Sequence, residues 1–216
     1  MAIISGALFS KGKGSLGNLT MTTQKGRVIL KSKATVVSNP NTEAQQNQRK
    51  MISRAVIAWQ MLGNVLKSGI TTLVQYGSQY NTYVSKNAQF FADSTFTAST
   101  FKGLDVLNSW ATIGQLPQVS YSTLTYTEND MTLEMSYNYL NKNAKVGDKL
   151  KVVTAGNLQS EFSYSEVDIT SGMISAPTPT IVFENLNLDT SDDIVWAIWL
   201  ESADGTKSSN SKFQTT

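Results

Sequence analysis

The chain has 216 residues, 40% hydrophobic and only 16% charged, with a net charge of +2, no cysteine and no histidine. The length supports a sizeable core. The missing residue types exclude disulfides, thiolate or imidazole metal sites, Cys nucleophiles and any Ser-His pair, so carboxylates are the only general acid–base candidates left.

The net charge conceals a gradient. Residues 1–54 carry nine basic side chains against Glu43 alone, +8. Residues 55–120 carry +1, and residues 121–216 hold six basic and thirteen acidic residues, −7. Such asymmetry points to an oppositely charged partner, which for this chain includes a second copy of itself.

In chain order, the start at Met1–Phe9 lacks the basic opening and long apolar run of a secretory signal, and no stretch reaches the ~20 apolar residues of a membrane span. Residues 10–17 are glycine-rich and basic, a segment expected to be poorly ordered alone and ordered by a neighbour. Asn18–Gln24 and Arg27–Ala34 alternate polar with apolar around Lys25-Gly26, predicting a β-hairpin with Arg27, Lys31 and Lys33 as a basic stripe on one face. Ser38–Thr42 reads as a turn and helix start, with Thr42 as cap and Gln45 at the capping-box position. The helix is predicted to run to about Lys67, with Ile52, Val56, Trp59, Leu62 or Gly63, and Leu66 on its apolar face. Its packing on the domain's own core is favoured over exposure as a wall against a partner. Gly69 breaks the pattern, and residues 70–93 predict one or two short helices with Tyr76, Tyr80, Tyr83, Phe90 and Phe91 as core aromatics. Residues 94–116 predict a short strand and linker.

From Leu116-Pro117 the pattern changes. Strand-like runs at 124–126, 131–139, 149–154, 162–168, 180–186, 193–201 and near 210–214 are separated by turn signals. Their spacing predicts an immunoglobulin-like sandwich of ~100 residues. Trp196 and Trp199 cannot share a strand face, so their strand is expected to be central and buried on both sides. The expected fold is therefore α+β: an N-terminal module of arm, hairpin and helices over 1–116, and an Ig-like antiparallel sandwich over 117–216.

No motif argues for catalysis. Gly12-Lys13-Gly14-Ser15-Leu16-Gly17 fits the dinucleotide spacing, but a strand follows it and no acid appears before Glu43; a phosphate-binding loop lacks its closing Lys-Ser/Thr. Glu161 with Glu166, and Asp192 with Asp193, read better as solvated charge than as glycosidase pairs, and no spaced calcium loop is present. The chain is expected to be no enzyme and to need no cofactor or metal.

The segments Ser10–Asn18, Lys25–Ser32, Ser38–Arg49 and Trp199–Phe213 resemble uncharacterised proteins of Bacteroidota and of the crAss-like phages that infect them. The resemblance touches both ends of the chain, loosely in the middle, and carries no catalytic residue. It implies a virion component, a ring or connector protein of the tail or portal–tail region, made in the bacterial host cytoplasm. Its partners would be copies of itself and neighbouring portal, tail or ring proteins, without a membrane. The residues expected at the subunit interface are Lys11, Lys13, Arg27, Lys31, Lys33, Arg49, Lys50 and Arg54. Two rival readings remain open from sequence: nucleic-acid binding through the same basic residues, and a carbohydrate-binding or adhesion module on the sandwich using Tyr137 and Tyr139.

Overall fold

The computed structural model describes residues 2–4, 13–25, 27–33, 40–71, 77–188 and 193–216. The chain divides into two compact units, Met1–Glu43 and Ala44–Thr216.

The first unit is a four-stranded antiparallel sheet of β1 (Ala2–Ile4), β2 (Gly14–Leu16), β3 (Leu19–Gln24) and β4 (Arg27–Ser32), in the order β1-β4-β3-β2. The predicted hairpin is present: Gln24 lies opposite Arg27, and Lys25 takes the left-handed φ of 48° that a two-residue hairpin turn requires. A second tight turn follows the same rule. Leu16 lies opposite Leu19 and Gly17 has φ 54°, so the end of the glycine-rich segment pairs within its own unit as β2. The rest of that segment, residues 10–12, lies outside the described residues.

The second unit opens with α1 (Glu43–Leu66), a 24-residue helix about 36 Å long. Its bounds match the sequence reading, and Leu62, Gly63 and Leu66 are buried as expected, but the first half of the expected apolar face is not. The buried stripe is Ala55, Ala58, Leu62 and Leu66, while Ile52 is 43% exposed and Val56 and Trp59 are only half-buried. Ala55 and Ala58 take the inner positions there and share a core with Val153, Val195 and Trp199. α2 (Gln79–Asn87) is capped by Ser78, whose Oγ accepts from the Asn81 N–H at 3.2 Å. Of the expected core aromatics, Tyr83 and Phe91 are fully buried, Tyr80 and Phe90 are exposed, and Tyr76 lies outside the described residues. Phe90, Phe91, Phe96, Phe101, Phe162 and Phe213 form a chain of ring contacts with centroids 5.2–6.3 Å apart. A short 3-10 turn (Gly103–Val106) and β5 (Trp110–Thr112) complete the region before the sandwich.

Two sheets then pack face to face. One has the order β10-β7-β6, from β6 (Tyr121–Tyr126), β7 (Met131–Met135) and β10 (Thr180–Phe183). The other has the order β13-β11-β8-β9, from β8 (Lys149–Gly156), β9 (Ser163–Asp168), β11 (Ile194–Glu201) and β13 (Gln214–Thr215). The chain crosses between sheets after β7, β9 and β10, which is the antiparallel path of an immunoglobulin-like sandwich. Met131, Leu133, Met135, Ile181 and Phe183 meet Leu150, Val152, Trp196, Ile198 and Leu200 in its core. Two short helices, α3 (Tyr139–Asn143) and α4 (Ser171–Ser175), close one end.

Every residue of β11 is buried, as its sequence predicts. Trp196 faces the sandwich core, while Trp199 faces a second core with Ala55, Ala58, Leu62, Leu66, Val153, Val195, Ala197 and Phe213. A sheet apolar on both faces needs two covering layers, and α1 supplies the second. Residue 117 therefore marks where the sandwich begins, within one continuously packed unit; the C-terminal β12 (Ser211–Lys212) also pairs back to β5. The strand predicted over 131–139 ends at Met135, because Asn138 turns left-handed (φ 55°) to start α3.

Candidate interaction surface

In the first unit the β3–β4 register gives the sheet two unlike faces. Gln24 and Arg27, Thr22 and Ile29, and Thr20 and Lys31 stand opposite each other on one; Thr23 and Val28, Met21 and Leu30, and Leu19 and Ser32 share the other. Arg27 and Lys31 are thus on a common face, four residues or roughly 13 Å apart. Lys33 lies just beyond β4, where its N–H donates to the Asn18 carbonyl at 2.7 Å and prolongs the ladder. Lys13, Lys31 and Lys33 are exposed, Arg27 is half-buried, and Lys11 lies outside the described residues.

The remaining basic candidates belong to the second unit. Arg49 and Lys50 are exposed on the polar first half of α1. Arg54 has another role. Its Nη1 donates to the carbonyls of Phe91 at 3.2 Å and Ala92 at 2.9 Å, fixing the chain that follows α2 against α1. Sequence reasoning grouped Arg54 by charge alone, and nothing in its neighbourhood in sequence signals the two carbonyls it serves.

Acidic side chains gather at one end of the sandwich. Glu128 lies in the β6–β7 turn, Glu161 in the β8–β9 loop, Glu184 after β10 and Asp193 before β11, and all four are exposed. Backbone bonds lock these loops together: Leu186 to Asn129 at 2.7 Å, Leu188 to Glu128 at 2.9 Å and Asn157 to Asp193 at 3.0 Å. Asp189 and Asp192 lie outside the described residues.

Glu161 and Glu166 do not form a pair. Glu166 belongs to a network on the helix-facing side of the other sheet, where it accepts from Lys149 and from the Tyr164 hydroxyl. Lys149 also lies 3.7 Å from Asp168, and Lys151 lies 3.6 Å from Glu166, 3.0 Å from Glu201 and 3.2 Å from Ser68 Oγ. The hydrogen bonds from Lys149 and Tyr164 hold the Glu166 carboxyl down at about 2, against its usual 4.5. Burial, then the bond to Glu166, raises the Tyr164 hydroxyl. A carboxyl depressed in the folded state contributes stability that is complete above its unfolded pKa and fades as pH falls towards 2. Glu166→Gln should therefore be less stable than the parent at neutral pH, and the two should converge between pH 4.5 and 2, as read by urea unfolding across that range. Partial exposure keeps the difference small.

Tyr137 is 72% exposed, but Tyr139 is buried and donates its hydroxyl to the Pro117 carbonyl at 3.0 Å. Burial pushes that phenol up to about 12. The two tyrosines therefore do not form an exposed pair on the sandwich. Among the described residues, no group of three or more acidic side chains is arranged to hold a metal, and no helix is long and apolar enough to cross a membrane.

These features define a two-unit α+β protein that joins a small basic sheet to an acidic unit built on an immunoglobulin-like sandwich. The chain belongs to DUF6266, a family of unknown function whose sequence profile matches residues 10–215 and so spans both units. No curated protein matches it significantly.

Proposed function

We propose that this chain is a structural subunit of a bacteriophage virion, a ring or connector protein of the tail or portal–tail region that assembles by head-to-tail protein–protein contacts. The observation that carries the reading is the partition of charge between two separately folded units. Residues 1–43 hold six basic residues and one acidic residue, +5, and residues 44–216 hold twelve basic and fifteen acidic, −3. A closed ring needs two different, complementary patches on each subunit, so that each copy gives one and receives the other. The basic face around Lys13, Lys31 and Lys33 is one such patch, and the acidic sandwich end around Glu128, Glu184 and Asp193 is the other. The resemblance of residues 10–18, 25–32, 38–49 and 199–213 to phage-associated proteins supplies the setting: a virion, assembled in the host cytoplasm beside portal, tail or ring proteins.

The test is the mass of the purified protein in solution across protein concentration and salt. A discrete oligomer is expected at low salt that dissociates as salt screens the contact. Replacing Lys13, Lys31 and Lys33 together with Glu should leave a folded monomer. A parent protein that stays monomeric in every condition, with virion proteins added, would overturn the reading.

A further inference from the structure

We propose that the groove between the second half of α1 and the start of α2 is a saccharide-binding site. The groove is an open cleft of about 400 Å³, within the size range of small-ligand sites. Its apolar surface is the indole of Trp59, half-buried and backed by Tyr83 at a centroid distance of 5.3 Å. Tyr80 stands at its edge, 6.2 Å away and inclined at 67°, so the two rings form a corner rather than a closed stack.

The indole is held in place by an absence. Gly63 lies one turn further along α1, and a Cβ there would sit 2.7 Å from Trp59 Cε2. Glycine at 63 leaves room for the ring beside the helix, where a Cβ would force it to shift. Glycine destabilises a helix interior relative to alanine, so its use mid-helix calls for a packing reason, and the ring supplies one.

Around this platform stand the amides of Gln60 and Asn64 from α1 and Gln79 from α2. None of them has a hydrogen-bond partner among the described residues. An amide both donates and accepts, and so does a sugar hydroxyl, while the C–H face of a pyranose matches an aromatic ring. The combination selects against other occupants. A purely apolar ligand would make no use of the three amides. A polyanion would find Lys67 as the single cation lining the groove among the described residues. The position is also distinct from the exposed Tyr137 on the sandwich.

The experiment is a glycan array carrying glucose-, galactose-, mannose- and N-acetylglucosamine-based glycans, probed with the full chain, followed by titration of the strongest oligosaccharide. Saturable binding is expected, and Trp59→Ala should weaken it about tenfold or more. Gly63→Ala should weaken it as well, by unseating the indole without removing any contact group. Tyr137→Ala should leave it unchanged. An array without binding, or affinity that survives both Trp59→Ala and Gly63→Ala, would overturn the proposal. Should Trp59→Ala fail to fold by circular dichroism, Gln60→Ala with Asn64→Ala decides: both residues are exposed on the helix, and undiminished affinity would count against the site.

Discussion

Replacing Lys151 with Met should lower the free energy of unfolding by about 3–5 kcal/mol, the range for a buried ion pair that loses one partner. Lys151 and Glu201 side chains are only 9% and 10% exposed, and their charged atoms lie 3.0 Å apart. Glu201 Oε2 has no aligned hydrogen bond, so its charge relies on the nearby ammonium rather than on a directed donor. Without Lys151 it remains buried and uncompensated. Lys151 also contacts Ser68 Oγ, in the turn that ends α1, so its loss loosens the link between the helix and the sheet. The double change Lys151→Met with Glu201→Met removes both charges and should recover most of the deficit. Urea unfolding of the parent, both single variants and the double variant gives the coupling directly. Additive effects would show that the two charges do not depend on each other.

Gly114→Ala should be as damaging, by about 3 kcal/mol or through failure to fold, for a reason that involves no charge. A Cβ at Gly114 would fall on the backbone carbonyl of Ser208, far inside van der Waals contact. That carbonyl already accepts from Leu116 N–H at 2.8 Å, the Gly114 N–H donates to Asn210 Oδ1 at 2.9 Å, and Ser208 Oγ donates to the Gly69 carbonyl at 2.7 Å. Three separate segments are thus tied through buried polar groups with no room to yield. For a unit of this size the loss corresponds to a fall in Tm of roughly 6–12 °C. Gly172→Ala is the control, since its added Cβ meets nothing nearer than Thr170 Oγ1 at 3.9 Å and α4 should gain slightly in helix propensity. A calorimetric scan in which the two variants melt alike would contradict this account.

Much of the fold was legible because it is written locally. The turn at Lys25, the bounds of α1 and the opposed faces of Trp196 and Trp199 each follow from residues close together in sequence. The phase of α1 was legible only in its second half: Leu62 and Leu66 are buried as expected, but before them bulk points to Ile52, Val56 and Trp59 while packing selects Ala55 and Ala58. Which stripe faces inward depends on the surface it packs on, and that core includes Trp199, more than 130 residues later. Separation in sequence also hides Gly114 and Lys151, whose partners Ser208 and Glu201 lie 94 and 50 residues further on. The basic candidates were visible as composition, but composition cannot separate the exposed Lys31 from Arg54, which is engaged with two carbonyls. Trp59 was read as one more core residue, because the open groove beside it exists only once α2 is in place.

The pairing of β12 with β5, and of β13 with β11, has a consequence for synthesis on the ribosome. Phe213 completes the core beneath α1, so the helix has no finished surface to pack on until nearly the whole chain has emerged. Roughly 150 residues separate Leu66 from Phe213, about ten seconds or more of translation at the usual rates. The small N-terminal sheet closes through neighbouring residues and can form early. The larger unit must wait with its Ala-Leu face incompletely covered until its last strands emerge.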